Sequence, residues 1–232
     1  MNTSVLALSP DNTQHLTDQG FVIVKNVLDI PTCQELRSHY ANESMYRTTI
    51  NMQRYRFGMG EYKYFSYPLP KVVRTLRQCF YKALVPVANA WMEKLALPER
   101  YPTTHEEFIT RCHAHQQARP TPLILRYMKG GHNTLHQDLY GQVYFPLQVI
   151  VALSQHGQEY EGGELVLTHQ VPRAQSRAVV VRPNAGDAVI ITTNFRPVTG
   201  TRGYYKASVR HGVSTLLSGE RYALGIFFHD AA

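Results

Sequence analysis

The texture of the chain changes at about Thr121, and that change limits the fold more than any other feature. From there on, short runs rich in β-branched and aromatic residues are separated by Gly, Pro and Asn. They are Leu123 to Met128, Phe145 to Leu153, Glu164 to Thr168, Ala178 to Arg182, Asp187 to Thr193 and Arg221 to Phe228. Short strands at this spacing predict a sandwich or barrel. The first half reads as helical instead: Ser9 to Gln19, Pro31 to Asn42 behind an Asp29 cap, and Leu69 to Leu97 broken by Pro86, with one strand at Phe21 to Lys25. No repeat, low-complexity tract or Gly/Ser linker separates the halves. The expected organisation is one domain over residues 1–232, with about 1–118 as helical support and 119–232 as the β core. In the last run, Tyr222, Leu224, Ile226 and Phe228 alternate with Arg221, Ala223, Gly225 and Phe227. The first set suits packing under helices, and the second offers a sandwich interior one cation beside small residues, as a small anion requires.

Composition excludes several classes. With 44% hydrophobic and 18% charged residues, the chain can bury a sizeable core. Its N-terminus has no basic region and too short an apolar run for a signal peptide, and no later run approaches membrane-spanning length, so a cytoplasmic address is expected. Cys33, Cys79 and Cys112 form no CxxC pair, which argues against a disulfide framework or a cysteine zinc site. The net charge of +7 makes a polyanion a plausible partner. Arg47, Arg54, Arg56, Lys63, Lys71, Arg74, Arg77 and Lys82 face only Glu61 in that stretch of chain. Within residues 45–67, Arg54, Arg56 and Lys63 interleave with Tyr55, Phe57, Tyr62, Tyr64, Phe65 and Tyr67. Such a segment suits a lid or substrate surface whose cations meet phosphates while its rings stack on unpaired bases. The plainer alternative is that the rings dock the segment onto the sandwich and the cations are solvated.

His136 and Asp138 lie two apart, so on an extended strand both point to one face. Eleven His and six Asp give roughly 0.3 such pairs by chance, so the pair alone carries little weight. A third ligand in His211 would complete two imidazoles and a carboxylate, a set that leaves positions open on an iron ion. Arg221 follows ten residues later across Ser218-Gly219, which predicts neighbouring strands with His211 and Arg221 at similar height. One ligand could then touch both, its far carboxylate gripped by the guanidinium while its near end chelates the metal. His113, His115, His169 and His229 compete for the third position, but none precedes a cation at that spacing.

These residues resemble the iron(II)/2-oxoglutarate dioxygenases, which have a double-stranded β-helix, or jelly roll. The spacing of Arg126-Tyr127 from Leu135-His136-Gln137-Asp138 is similar to that in AlkB-type nucleic-acid demethylases. Glu161-Gly162-Gly163-Glu164-Leu165, Ala185-Gly186-Asp187-Ala188-Val189 and the interval from His211 to Arg221 are similar to the prolyl-hydroxylase branch. Arg56 to Tyr62, Arg119 to Leu123, His136 to Gly141 and Leu224 to Asp230 together resemble a bacterial oxygenase family described as oxidatively demethylating damaged DNA. The resemblance implies iron(II), 2-oxoglutarate and dioxygen as cofactors, with His136, Asp138 and His211 as ligands and Tyr127 and Arg221 on the co-substrate. It implies single-stranded or damaged DNA or RNA as partner, for which the basic, aromatic segment offers Arg54, Arg56 and Tyr62, with Tyr140, as candidate contacts; the sequence itself points to no membrane or protein partner. Tyr140 replaces an acidic base-reading residue of AlkB enzymes and Leu125 an asparagine, so base recognition here must differ, with stacking on Tyr140 as one possibility. A hydroxylase of a protein side chain or metabolite is the alternative, and a cupin-like binding protein without turnover the third.

Overall fold

The computed structural model describes residues 8–170 and 175–232; part of the N-terminal stretch considered for a signal peptide, residues 1–7, lies outside them. Among the described residues, four α-helices, α1 (Pro10–Gln19), α2 (Ile30–Ser38), α3 (Lys71–Lys94) and α4 (His105–Ala114), accompany fourteen strands. The strands are β1 (Phe21–Val24), β2 (Tyr46–Asn51), β3 (Gly58–Met59), β4 (Glu61–Phe65), β5 (Leu123–Met128), β6 (His132–His136) and β7 (Leu147–Ala152). They continue with β8 (Tyr160–Gly162), β9 (Leu165–His169), β10 (Arg177–Val181), β11 (Ala188–Thr192), β12 (Phe195–Gly200), β13 (Gly203–Val213) and β14 (Leu216–Ile226). One sheet runs β1-β11-β7-β14-β5-β4-β2 with β8 also on β14; the other runs β10-β9-β13-β6-β3 with β12 on β13. All the pairings are antiparallel, as a jelly roll requires.

Strand alternation sets which side of the larger sheet meets what. Tyr222, Leu224, Ile226 and Phe228 join the helix-covered core with Leu147, Val149 and Val151, while Arg221, Ala223, Gly225 and Phe227 face the interior cavity, as their spacing predicts. Between the sheets, Leu165, Leu167, Val181, Val189, Ile191 and Val209 pack one region of the sandwich, which leaves room elsewhere for polar side chains.

Four expectations need correction. Helix α3 is unbroken at Pro86: Pro86 and Lys82 are both exposed, so the carbonyl that loses its N–H partner meets water. Residues 46–65, placed in the helical half, instead form β2, β3 and β4. β4 pairs with β5, so the expected lid is largely a sheet extension, and only the short turn Met52–Tyr55 and its flanks depart from it. His211 and Arg221 are not on neighbouring strands, because β13 and β14 belong to opposite sheets. The chain crosses between them at Ser214 and Thr215, pinned where Glu164 N–H donates to Ser214 Oγ and Gly163 N–H to the Thr215 carbonyl. Gly219, taken for a hairpin turn, lies inside β14 against β8, where an added Cβ would sit 2.0 Å from the Glu159 carbonyl oxygen.

The fourth concerns charge. Lys63 is buried, paired with Glu43 and donating to the Tyr40 carbonyl at 3.1 Å. Arg77 is buried too: its guanidinium donates to the Phe227 carbonyl at 2.7 Å and the His229 carbonyl at 3.0 Å, and pairs with Asp230 at 2.8 Å. Arg47 lies over the Tyr64 ring at 4.4 Å. Two of the eight clustered cations are therefore internal fastenings. Replacing Arg77 by Met strips buried Asp230 of its arginine and should cost about 3 to 5 kcal/mol, read from the urea unfolding midpoint.

Candidate metal centre and co-substrate site

The pairing of β6 with β13 sets His136 directly opposite His211, and their rings lie 4.3 Å apart. Asp138, just beyond β6, is held by its N–H bond to the Thr193 carbonyl. Its Oδ2 is 3.0 Å from His211 Nε2 and its Oδ1 3.5 Å from His136 Nε2. One ligand atom from each residue falls within 4.8 Å of the others, and this is the one such cluster among the described residues. The Thr134 carbonyl, 2.7 Å from His136 Nδ1, accepts a hydrogen bond from that nitrogen and so orients the ring with Nε2 toward the carboxylate. Burial pulls His211 below its ordinary range. Burial would lift the Asp138 carboxyl, but the charge of His211 and hydrogen bonds from both histidines hold it well below the usual carboxylate range. Burial works against charge on His136 as well, yet the hydrogen bond and charge of Asp138 raise it. An ionised carboxylate between two imidazoles is a donor set for a divalent transition-metal ion.

Two further side chains address the carboxylate. Tyr140 Oη donates to Asp138 Oδ1 at 2.7 Å, and Gln148 Nε2 donates to Oδ2 at 2.9 Å. Gln148 was missed in the sequence, although it is the one polar residue in the strand Leu147-Gln148-Val149-Ile150-Val151-Ala152. Tyr140, expected as a stacking surface, gives its hydroxyl to Asp138 and packs edge-on against Phe227 at 5.2 Å. Burial and the neighbouring carboxylate keep its phenol protonated.

A cavity of about 220 Å³ opens beside this cluster, walled mainly by Phe57, Tyr62, Leu123, Leu125, Ile150 and Phe227. Arg221 and Tyr127 also line it and are direct cross-strand partners on β14 and β5. Arg221 is 4% exposed and makes no ion pair among the described residues; its guanidinium carbon lies 5.5 Å from the Tyr127 ring centre. The Tyr127 hydroxyl is buried beside the Asn133 side chain, which can donate to it, but its own proton has no acceptor among the described residues. Two glycines make the room: a Cβ on Gly60 would meet the Tyr127 ring at 2.8 Å, and one on Gly163 would meet Leu216 at 2.4 Å and Arg221 Cδ at 3.2 Å. Arg54 and Arg56 are exposed and do not line the cavity; they stand on the turn that carries Phe57 into its wall. His113, His115, His169 and His229 lie outside the cavity lining.

A family model described as "Oxygenase, catalysing oxidative methylation of damaged DNA" matches residues 60–231. The chain belongs to this oxygenase family. The description is that of an oxygenase, which sets aside a cupin-like protein without turnover, and the fold is shared with solved 2OG-Fe(II) oxygenases. Two uncharacterized proteins of Mycobacterium tuberculosis are 45% identical to the oxygenase over 168 residues, 72% of this chain and 72% of each relative. A Pseudomonas putida prolyl-4-hydroxylase shares the fold at 12% identity and a TM-score of 0.56, over 96% of this chain and 98% of that one. So does a Burkholderia pseudomallei oxidoreductase of the 2OG-Fe(II) oxygenase family, at 15% identity and a TM-score of 0.51, over 100% and 94%.

The residues present fit iron(II) and 2-oxoglutarate, the pair named for the solved 2OG-Fe(II) oxygenase that shares the fold. Arg221 is a buried cation lacking an anion, Tyr127 a buried hydroxyl lacking an acceptor, and the cluster opposite offers nitrogen and oxygen donors. The oxygenase needs Gly60 small and in its left-handed backbone, φ 156°. Gly60→Ala should cost roughly 1 to 3 kcal/mol through strain and the Tyr127 clash, measured as a lower thermal midpoint.

Proposed function

We propose that His136, Asp138 and His211 hold iron(II), that Arg221 and Tyr127 hold the far carboxylate of 2-oxoglutarate, and that the enzyme demethylates alkylated bases of single-stranded or damaged nucleic acid. The observation that carries the cofactor assignment is the unpaired, buried Arg221 facing the same cavity as the three ligands. When bound, the ferrous ion and 2-oxoglutarate activate dioxygen: one oxygen atom leaves in succinate with loss of carbon dioxide, and the other goes to a substrate C–H bond. Arg221 and Tyr127 orient the dicarboxylate so that its reacting end meets the ligands. Leu123, Leu125, Ile150 and Leu165 keep water from the cavity. On an N-methyl group, hydroxylation gives a carbinolamine that releases formaldehyde and leaves the base N–H.

The family description supports a nucleic-acid substrate. So do the aromatic walls Phe57, Tyr62, Tyr140 and Phe227, which suit a flat base, and the exposed Tyr55 and Phe57 rings, stacked at 5.6 Å and alternating with Arg54 and Arg56 along the chain. A second reading, hydroxylation of a protein side chain or small metabolite, draws on the burial of Lys63 and Arg77, which removes two cations from any phosphate-binding face. Three free cysteines fit a reducing, cytoplasmic setting.

Incubated with iron(II), 2-oxoglutarate, oxygen and N-methylated single-stranded DNA, the enzyme should form succinate and formaldehyde in step, and His136→Ala should form neither. Succinate formation that DNA leaves unchanged would favour the second reading. Arg221→Gln should raise the KM for 2-oxoglutarate roughly 30- to 1000-fold, the equivalent of about 2 to 4 kcal/mol. Affinity for single-stranded oligonucleotide should fall steeply with salt, and joint replacement of Arg54 and Arg56 by Ala should lower the log–log slope by about 1.4.

A further inference from the structure

Strand alternation turns Leu147, Val149 and Val151 toward the helices and Gln148 and Ile150 into the cavity. Gln148 is 2% exposed, and a leucine there would suit the strand without leaving an amide to desolvate. Its carboxamide reaches from one sheet to the ligands gathered on the other: Nε2 is 2.9 Å from Asp138 Oδ2 and 3.3 Å from His211 Nε2. At the other end of the same carboxylate, Tyr140 Oη lies 2.7 Å from Oδ1. Tyr140 is itself held, edge-on to Phe227 and with its ring 5.9 Å from that of His229.

We propose that Gln148 and Tyr140 are positioning residues that clamp the Asp138 carboxylate from opposite ends and so fix the geometry and donor strength of the three-residue metal site. The proposal rests on the assignment of His136, Asp138 and His211 as the metal ligands. With one donor on each oxygen, rotation of the carboxylate about Cβ–Cγ breaks both bonds. Its plane is therefore set before an ion arrives, and less ordering is left to the binding step. The two donors also draw charge from the oxygens, a smaller effect that offsets part of what the fixed orientation adds to the affinity. Removal of either donor therefore alters the ligand field as well as the affinity. The amide contact to His211 Nε2 uses the nitrogen that the ion takes, so metal binding leaves the amide to Asp138 alone.

Cobalt(II) is a suitable probe, because its visible d–d absorption reports ligand geometry without turnover. Gln148→Met keeps the side-chain volume and removes the N–H; Tyr140→Phe removes only the hydroxyl. Each should raise the cobalt Kd about 10- to 100-fold and change the d–d spectrum, while the thermal midpoint of the metal-free protein stays near that of the wild type. The double variant should weaken binding by less than the product of the two single effects, since both donors act on one carboxylate. Cobalt Kd values within twofold of wild type and an unchanged spectrum in both single variants would overturn the clamp and leave the triad standing. Equal binding by wild type and His136→Ala would overturn the triad assignment itself. Should Gln148→Met fail to fold, Tyr140→Phe decides alone.

Discussion

The register between β6 and β13 is the constraint on which the site depends. His136 and His211 are direct partners in that antiparallel pair, so their rings meet 4.3 Å apart on the inner face. A slip of one residue would turn one of them to solvent and bring Leu135 or Arg210 inward. The register breaks just beyond His211, before Val213 pairs with Asn133, and a Cβ on the intervening Gly212 would come within 2.6 Å of the Asn133 carbonyl oxygen. Close backbone approach on one side of the site and the packed cluster around Leu167 and Val209 on the other hold the strand in place.

Within that frame, polar groups are placed where the sandwich would otherwise be apolar. Arg221, Tyr127, Gln148 and Asp138 all point between the sheets, and burial of each would be unfavourable without a partner. Asp138 has its partners in the protein: two imidazoles, an amide and a phenol. Arg221 has no anion, only the Tyr127 ring, and the Tyr127 hydroxyl has no acceptor among the described residues. The division is informative, because a protein that satisfies Arg77 with Asp230 and two carbonyls, and Lys63 with Glu43 and Tyr40, does not leave a buried guanidinium bare for want of acceptors. On the proposed assignment, the far carboxylate of 2-oxoglutarate supplies the anion that this pair lacks.

Much of this was legible in the sequence because period and spacing survive folding. The alternation in the last strand separated the helix-facing residues from Arg221, and the interval between His136 and Asp138 needed only an extended backbone. Other features failed for physical reasons. Ser218-Gly219 has hairpin composition, but its glycine serves the close approach of β14 to β8, and the chain changes sheets earlier, at Ser214 and Thr215. Lys63 and Arg77 look like surface charge because a one-dimensional count does not show that Glu43 and Asp230 wait for them across the fold. Gln148 was visible as a lone amide in an apolar strand. Its meaning appears only with its partner, which lies ten residues away in the chain and on the opposite sheet.

Sheet crossing also accounts for how the co-substrate and metal sites stay in step. A hairpin would have placed His211 and Arg221 on adjacent strands of one sheet, where each could shift with the turn between them. Instead β13 and β14 lie in different sheets, joined at Ser214 and Thr215 and tied there to Gly163 and Glu164. Gly163 in turn lies against Arg221 Cδ. The segment that fixes the crossover therefore also sets the floor under the arginine. A ligand that bridges Arg221 and the His136, Asp138 and His211 cluster spans the sandwich from one sheet to the other, and its binding energy is spent against the separation of the two sheets. On the proposed assignment, a bound co-substrate would brace one sheet against the other and so couple the rigidity of the β core to occupancy of the site.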